Sequence, residues 1–134
     1  EHGISSDRVV LLSWSNSRQD HLNLYNSVDL ALDTFPYNGT TTTFESLWMN
    51  VPVLCLEGNN HSGRVGYSIL KNLSLEKFIS TSQEHYIEMA LHFARNPKEI
   101  SELGLGLRDR LSSSNLCNAK KFTQKFELML KNLI

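Results

Sequence analysis

The sequence predicts an α/β fold, a Rossmann-like parallel sheet with flanking helices. Three observations support this prediction. Short apolar segments rich in Val and Leu alternate with segments whose apolar residues recur at helical spacing. The apolar segments are nearly continuous rather than alternating, as expected for strands covered on both faces. Beyond residue 82 the pattern is helical to the end of the chain, so closing helices are expected at the C-terminus.

The predicted strands are short and few. Residues 8–13 (RVVLLS) form a run of Val and Leu that predicts a buried strand. Residues 30–33 and 51–56 are predicted as the next strands, and a short strand-like segment lies at 78–80. A complete doubly wound sheet usually has about five or six strands, so one side of this sheet is expected to be absent or to be donated by another segment.

The helices are predicted from apolar periodicity and from residues typical of helix ends. Helical patterns cover residues 18–26, 41–50, 64–73, 82–95, 97–111 and 119–133. Ser17 and Ser82 stand where N-caps are expected, and Pro97 suits a first helical turn. Gly104 and Gly106 each weaken the helix predicted at 97–111 by about 1 kcal/mol relative to Ala.

Length and composition predict one globular domain over residues 1–134. Hydrophobic residues make up 40% of the 134 residues and charged residues 20%. A net charge of −1 argues against a nucleic-acid partner, and no apolar run is long enough to span a membrane. Cys55 and Cys117 are too few for a disulfide framework, and reduced cysteines suit a cytoplasmic protein. Because the chain opens with Glu1 rather than Met, we expect it to be a fragment of a larger protein.

Residues 29–56 carry the main functional pattern, which reads strand, Gly-containing loop, helix, strand. The four threonines at 40–43 lie where the loop enters the helix. There the first N–H groups lack intrahelical partners and the helix dipole is positive, which favours an anion. Gly39 would let a ligand approach the backbone closely. Threonines before a helix are also ordinary caps, and the pattern is neither a P-loop nor a GxGxxG loop.

Several other side chains are candidates with more than one interpretation. Glu45, one turn into the helix, could accept hydrogen bonds from a ribose diol, which would complete a site for a nucleoside diphosphate. Arg64 could steady the loop at 58–62, reach a phosphate, or form a salt bridge within the domain. Asp33 could be a catalytic acid or cap the following turn, and His21 alone would be a surface or cap residue. The histidines show no metal-ligand spacing, so no metal is expected.

An ordered series of short segments runs through the chain: 32–34 (LDT), 36–39 (PYNG), 41–42 (TT), 45–48 (ESLW), 51–53 (VPV) and 63–65 (GRV). With its spacings kept, the series resembles the peptide O-GlcNAc transferase family, including bacterial tetratricopeptide-linked members and plant SPINDLY proteins. The likeness extends from about residue 7 to the C-terminus. It implies the C-terminal half of a glycosyltransferase B-type fold, in which the donor nucleotide binds this half and the acceptor enters the cleft between halves.

Residue by residue, the resemblance implies a donor site. Thr41 and Thr42 correspond to donors to the diphosphate, Glu45 to an acidic residue that holds the ribose, and His21 to a histidine near the nucleotide. Thr40 departs from animal members, which have histidine there, and a diphosphate-binding lysine of the family lies upstream of this chain. The candidate donor-binding residues are His21, Asn38, Gly39, Thr40, Thr41, Thr42, Glu45 and Arg64. The catalytic base is not placed.

The resemblance implies an inverting enzyme that transfers a sugar from a nucleotide donor to Ser or Thr hydroxyls of proteins. UDP-GlcNAc, UDP-glucose and GDP-fucose remain open as donors, and no metal is required. The isolated chain is expected to bind nucleotide at most, because acceptor selection and tetratricopeptide repeats would lie in the larger protein. The alternatives are a non-catalytic nucleotide- or protein-binding module, with self-association of the fragment, and another enzyme of this fold, such as a sugar-nucleotide epimerase or a lipid-directed glycosyltransferase.

Overall fold

A three-stranded parallel sheet lies at the centre of the structure, a computed structural model that describes residues 3–133. Its strands are β1 (Ala31–Leu32), β2 (Val53–Leu56) and β3 (Ile79–Ser80), in the order β1-β2-β3. Ala31 pairs with Val53, and Cys55 pairs with Ile79. The predicted parallel α/β sheet is confirmed, and its carboxyl edge is formed by the chain that follows each strand.

Helices flank the sheet, and loops connect them to its strands. They are α1 (Arg18–Asn23), α2 (Thr41–Trp48), α3 (Val65–Asn72), α4 (Gln83–Arg95), α5 (Pro97–Gly104), α6 (Leu107–Ser112) and α7 (Ala119–Lys131), with single 3-10 turns at Ser6–Arg8, Leu24–Ser27, Glu76–Phe78 and Asn115–Cys117. The predicted N-caps are confirmed, because Ser17 accepts a hydrogen bond from Asp20 N–H and Ser82 from His85 N–H. No described helix has both the length and the apolar character needed to cross a bilayer.

The core is built around β2 and the helices that pack against it. Val53, Leu54 and Cys55 of β2 are at most 2% exposed. Phe78 and Phe93 meet with ring centroids 5.2 Å apart, which joins α4 to the sheet. Each fully buried side chain of this size stabilises the fold by about 1.5–3 kcal/mol. The core therefore holds β2 and its neighbours in place without any buried residue from α7.

The strand predicted at residues 8–13 is wrong for this structure. Ser6–Arg8 form a 3-10 turn, and the residues after it have no strand pairing. The run is exposed rather than buried, since Leu11 is 91% exposed and Val10 is 77% exposed. A continuous apolar run becomes a buried strand only where neighbouring strands and helices cover it. The described residues supply no such neighbours at this position.

Two predicted helices differ from the structure by more than their end residues. The helix predicted at 97–111 is broken into α5 and α6, because Gly106 takes a left-handed φ of +78° that an α-helix does not accept. Gly104, the last residue of α5, packs closely against Asn50, because a Cβ at this position would lie 2.7 Å from Asn50 O. The helix predicted at 18–26 ends at Asn23 and tightens into the 3-10 turn at Leu24–Ser27.

Candidate functional site

The start of α2 lies at the carboxyl edge of the sheet. β1 ends at Leu32, a loop follows, and α2 begins at Thr41. Ligands of parallel α/β sheets bind at this edge. Thr40, Thr41 and Thr42 are exposed, and Thr40 at the N-cap position makes no side-chain capping bond. The first-turn amides of α2 are therefore not capped by that side chain, so they remain suited to an anion.

Gly39 is surrounded by the protein's own side chains rather than by open space. Its N–H donates to Asp33 Oδ1 at 2.7 Å, and its carbonyl accepts from Thr43 Oγ1 at 2.9 Å. A Cβ at this position would lie 2.5 Å from Thr42 Oγ1. Glycine is thus required here by internal packing. The close approach of a ligand to this backbone stays a prediction.

Asn38 lies inside the protein. The residue is 1% exposed. Its amide donates to Thr34 O at 3.0 Å, and its Oδ1 accepts from Gly66 N–H at 3.3 Å. Its own N–H donates to Ser62 O at 2.9 Å. Asn38 therefore ties the loop before α2 to α3, and its predicted role in donor binding stays a prediction.

His21 and Glu45 form a direct pair between α1 and α2. His21 Nε2 lies 3.0 Å from Glu45 Oε2, with side chains 41% and 19% exposed. Tyr25 meets the His21 ring edge-on at 5.8 Å and donates to Thr42 O at 3.4 Å. Burial, and next the charge of Glu45, raise the pKa of the Tyr25 hydroxyl above its usual 10.0. The pair joins two predicted site residues that are far apart in sequence.

Arg64 is held within the domain. Its guanidinium forms an ion pair with Glu57, donates to Gly58 O at 3.4 Å and lies 4.6 Å from the centre of the Tyr67 ring. Of the interpretations predicted for Arg64, the internal salt bridge and the steadying of the loop at 58–62 are therefore the ones that the structure contains.

A cavity of about 340 Å³ brings together Thr41 and Glu45 with Arg18, a residue that the sequence analysis did not single out. The remaining lining residues are Leu22, Phe44, Trp48, Leu111 and Cys117. Polar groups thus lie beside apolar walls, and the volume falls within the range of small-molecule sites. Because Arg18 is on α1 and the threonine on α2, only the packing of these helices could reveal the group.

The other predicted residues face neighbouring cavities around the same helix start. Thr40 and Arg64 line a cavity of about 440 Å³. Gly39 and Thr42 border one of about 150 Å³. His21 lines an open cavity of about 680 Å³ whose remaining wall comes from the exposed segment 12–18 and Leu24. The structure therefore gathers the predicted residues at one end of α2 but turns them toward different depressions.

Asp33 is the centre of a polar cluster beneath the loop. Its Oδ1 accepts from Gly39 N–H and Thr34 N–H, while Oδ2 is buried without a hydrogen-bond partner among the described residues. Burial raises the pKa of this carboxyl above 3.8, against the hydrogen bonds from the two amides, which lower it. Burial and the nearby charge of Asp33 raise the pKa of the Cys55 thiol to about 12. The capping role considered for Asp33 is the one observed.

Tyr86 of α4 supports this cluster from the other side. Its hydroxyl donates to Asp33 O at 3.0 Å, and its ring meets Phe35 edge-on at 5.6 Å. Burial, and next the charge of Asp33, raise the pKa of Tyr86 to about 12.

Among residues 3–133, no three His, Cys, Asp or Glu side chains are grouped so as to hold a metal ion.

A parallel sheet flanked by helices, with a polar helix start at its carboxyl edge, defines the Rossmann-like class of α/β proteins. Within that class the comparison is specific. The model of the family described as glycosyl transferase family 41 matches residues 1–126. The chain belongs to glycosyl transferase family 41.

Relatives and a solved structure agree with this assignment. A probable UDP-N-acetylglucosamine–peptide N-acetylglucosaminyltransferase SPINDLY of Solanum lycopersicum is 39% identical over 131 residues, 98% of this chain and 14% of that protein. A UDP-N-acetylglucosamine–peptide N-acetylglucosaminyltransferase of Giardia intestinalis is 29% identical over 92% of this chain and 8% of its own length. A Thermobaculum terrenum O-GlcNAc transferase mutant matches 87% of this chain and 22% of its own, at 40% identity and a TM-score of 0.78.

These matches confirm the predicted resemblance and the glycosyltransferase B-type fold. The chain spans about 14% of the length of the SPINDLY proteins it matches. The role of the candidate residues in donor binding stays a prediction.

Proposed function

We propose that residues 1–134 are the donor-binding domain of a larger inverting glycosyltransferase that transfers GlcNAc from UDP-GlcNAc to Ser or Thr hydroxyls of proteins. The observation that carries the proposal is the exposed start of α2, where Thr40 makes no capping bond and Thr41 shares a cavity with Glu45. The family match and the names of the relatives support glycosyl transfer and the GlcNAc donor.

The diphosphate binds at the first turn of α2. Free amide groups and the positive end of the helix dipole attract its charge, and the hydroxyls of Thr41 and Thr42 add donors. Glu45 accepts hydrogen bonds from the ribose, with His21 holding one carboxylate oxygen at 3.0 Å. The apolar walls of the 340 Å³ cavity suit the nucleoside.

Transfer leaves negative charge on the departing diphosphate. Fixed amide dipoles aimed at that charge stabilise it in the transition state, so this scheme needs no metal. The base that deprotonates the acceptor hydroxyl is not assigned to this chain. The isolated chain is therefore expected to bind nucleotide without transfer, and the protein acceptor to bind with the larger enzyme. The free thiols of Cys55 and Cys117 suit a cytoplasmic enzyme, which we include in the proposal.

An amide NMR titration of the chain with UDP, GDP and ADP tests the donor site. Selective shifts of residues 39–45 and of His21 with one nucleotide would support the proposal and identify the nucleobase of the donor. The absence of shifts with all three nucleotides at millimolar concentration would contradict nucleotide binding by this chain and favour a non-catalytic interaction module.

A second candidate is a self-associating interaction module, and α7 is the observation that favours it. Phe122, Phe126 and Leu130 recur every fourth residue on this helix and are 68%, 46% and 43% exposed. Exposed apolar patches of this kind promote association. Sedimentation should show concentration-dependent dimers that Phe126→Glu abolishes. A parent chain that stays monomeric at high concentration would contradict this second candidate.

A further inference from the structure

Asp33 closes the loop that leads into α2. Its Oδ1 accepts two main-chain hydrogen bonds, from Thr34 N–H at 3.0 Å and from Gly39 N–H at 2.7 Å. Gly39 stands directly before Thr40, the N-cap residue of α2. Hydrogen bonds to an ionised acceptor are shorter and stronger than neutral ones. Asp33 therefore fixes the point at which the chain turns into the helix.

Gly39 passes this constraint to the first turn of α2. Its carbonyl oxygen accepts a hydrogen bond from Thr43 Oγ1 at 2.9 Å. On another side Thr42 Oγ1 lies where a Cβ of residue 39 would meet it at 2.5 Å. The main chain of Gly39 is thus held between the Asp33 carboxylate and two threonines of α2. A shift of Gly39 consequently moves the exposed amides and hydroxyls that begin the helix.

The second carboxylate oxygen of Asp33 argues for a role beyond stability. Oδ2 has no hydrogen-bond partner among the described residues, and a Cβ at Gly66 would lie 2.7 Å from it. A buried oxygen without a partner lowers the stability of the fold. Local violations of this kind are expected chiefly at functional sites.

We propose that Asp33 is a positioning residue for the donor diphosphate. By holding Gly39 it aligns the first-turn amides and hydroxyls of α2 with the phosphates, without touching the ligand. This inference rests on the proposed function and adds to it the residue that sets the preference of the site for a nucleoside diphosphate over the bare nucleoside.

The test measures the Kd of the full chain for UDP and for uridine by calorimetry, with GDP and guanosine in their place where the titration selects guanine. The variants are Asp33→Ala, Asp33→Asn and, as control, Asp29→Ala at an exposed position just before β1. In Asp33→Ala the preference for the diphosphate over the nucleoside falls about tenfold, equivalent to about 1.4 kcal/mol. Asp33→Asn keeps the acceptor and restores the preference, and Asp29→Ala leaves it unchanged.

Each result has a distinct meaning. A parent chain that binds both ligands equally overturns the proposed function and this inference with it. A parent that prefers the diphosphate, with Asp33→Ala showing the same preference or weakening both ligands equally, overturns this inference alone. Should Asp33→Ala fail to fold, Thr43→Val removes the next hydrogen bond of the same chain of contacts, and an unchanged preference in that variant overturns the inference equally.

Discussion

The hydroxyls of Thr41 and Thr42 are the most direct test of the phosphate site. The double variant Thr41→Val, Thr42→Val keeps the branched shape of both side chains and removes only the hydroxyls. The helix amides remain, so binding is weakened rather than abolished. Hydrogen bonds to charged groups contribute about 1.5–3 kcal/mol each. Because both threonines are exposed and water competes for them, we expect a total loss of about 1–3 kcal/mol, or about 5- to 150-fold in Kd for UDP.

The assay is calorimetric titration of the chain with UDP and with uridine, since the nucleoside lacks the phosphates and should bind both proteins alike. Thr123→Val is the matched control, because that hydroxyl lies on α7 and donates only to Ala119 O. The control should bind UDP as the parent does. A double variant with the parent's affinity for UDP would refute the assignment of the diphosphate to the start of α2.

Three further predictions concern reactivity, backbone conformation and pH. Iodoacetamide should label Cys117 in the folded chain at pH 8 and spare Cys55, whose thiol is buried with a pKa near 12, and mass spectrometry should find the second label only in urea. Gly106→Ala should lower the free energy of unfolding by about 1–2 kcal/mol in urea titration, because φ is +78° and nothing else obstructs a Cβ there; an unchanged stability would contradict the left-handed conformation. Burial raises the pKa of Asp33, so the folded chain holds this proton more tightly than the unfolded chain does. The stability that this proton contributes is fully present below pH 3.8 and declines as the pH rises through the higher pKa of Asp33 in the folded chain. Asp33→Asn should lack this decline when the free energy of unfolding in urea is compared across these pH values.

The elements predicted correctly depend on local sequence. Ser17 and Ser82 cap their helices because a serine oxygen reaches an amide three residues ahead, and that geometry needs no distant partner. β2 could be predicted because its continuous apolar run is the local signature of a strand buried on both faces. The start of α2 at Thr41 is also predictable from local sequence, because the loop residues before it favour a turn.

The errors and omissions involve partners far apart in sequence. The run at 8–13 has the composition of a strand, yet composition does not supply the neighbours that would pair with it. His21 and Glu45 were each predicted at the site, but their contact depends on how α1 packs against α2. The hydrogen bond from the Tyr86 hydroxyl to Asp33 O joins residues 53 positions apart, and no local sequence pattern predicts it. The burial of Asn38 likewise depends on distant partners, since its Oδ1 accepts from Gly66 N–H.

Phe44 forms a shared wall with a practical consequence for inhibitor design. Its side chain borders both the cavity that contains Glu45 and the cavity that contains Arg64. Two weak fragments, one in each of these cavities, could be joined by a short linker past Phe44. Linking makes the second binding event intramolecular, at an effective concentration in about the millimolar range for a short flexible linker. A compound of this kind would occupy both cavities.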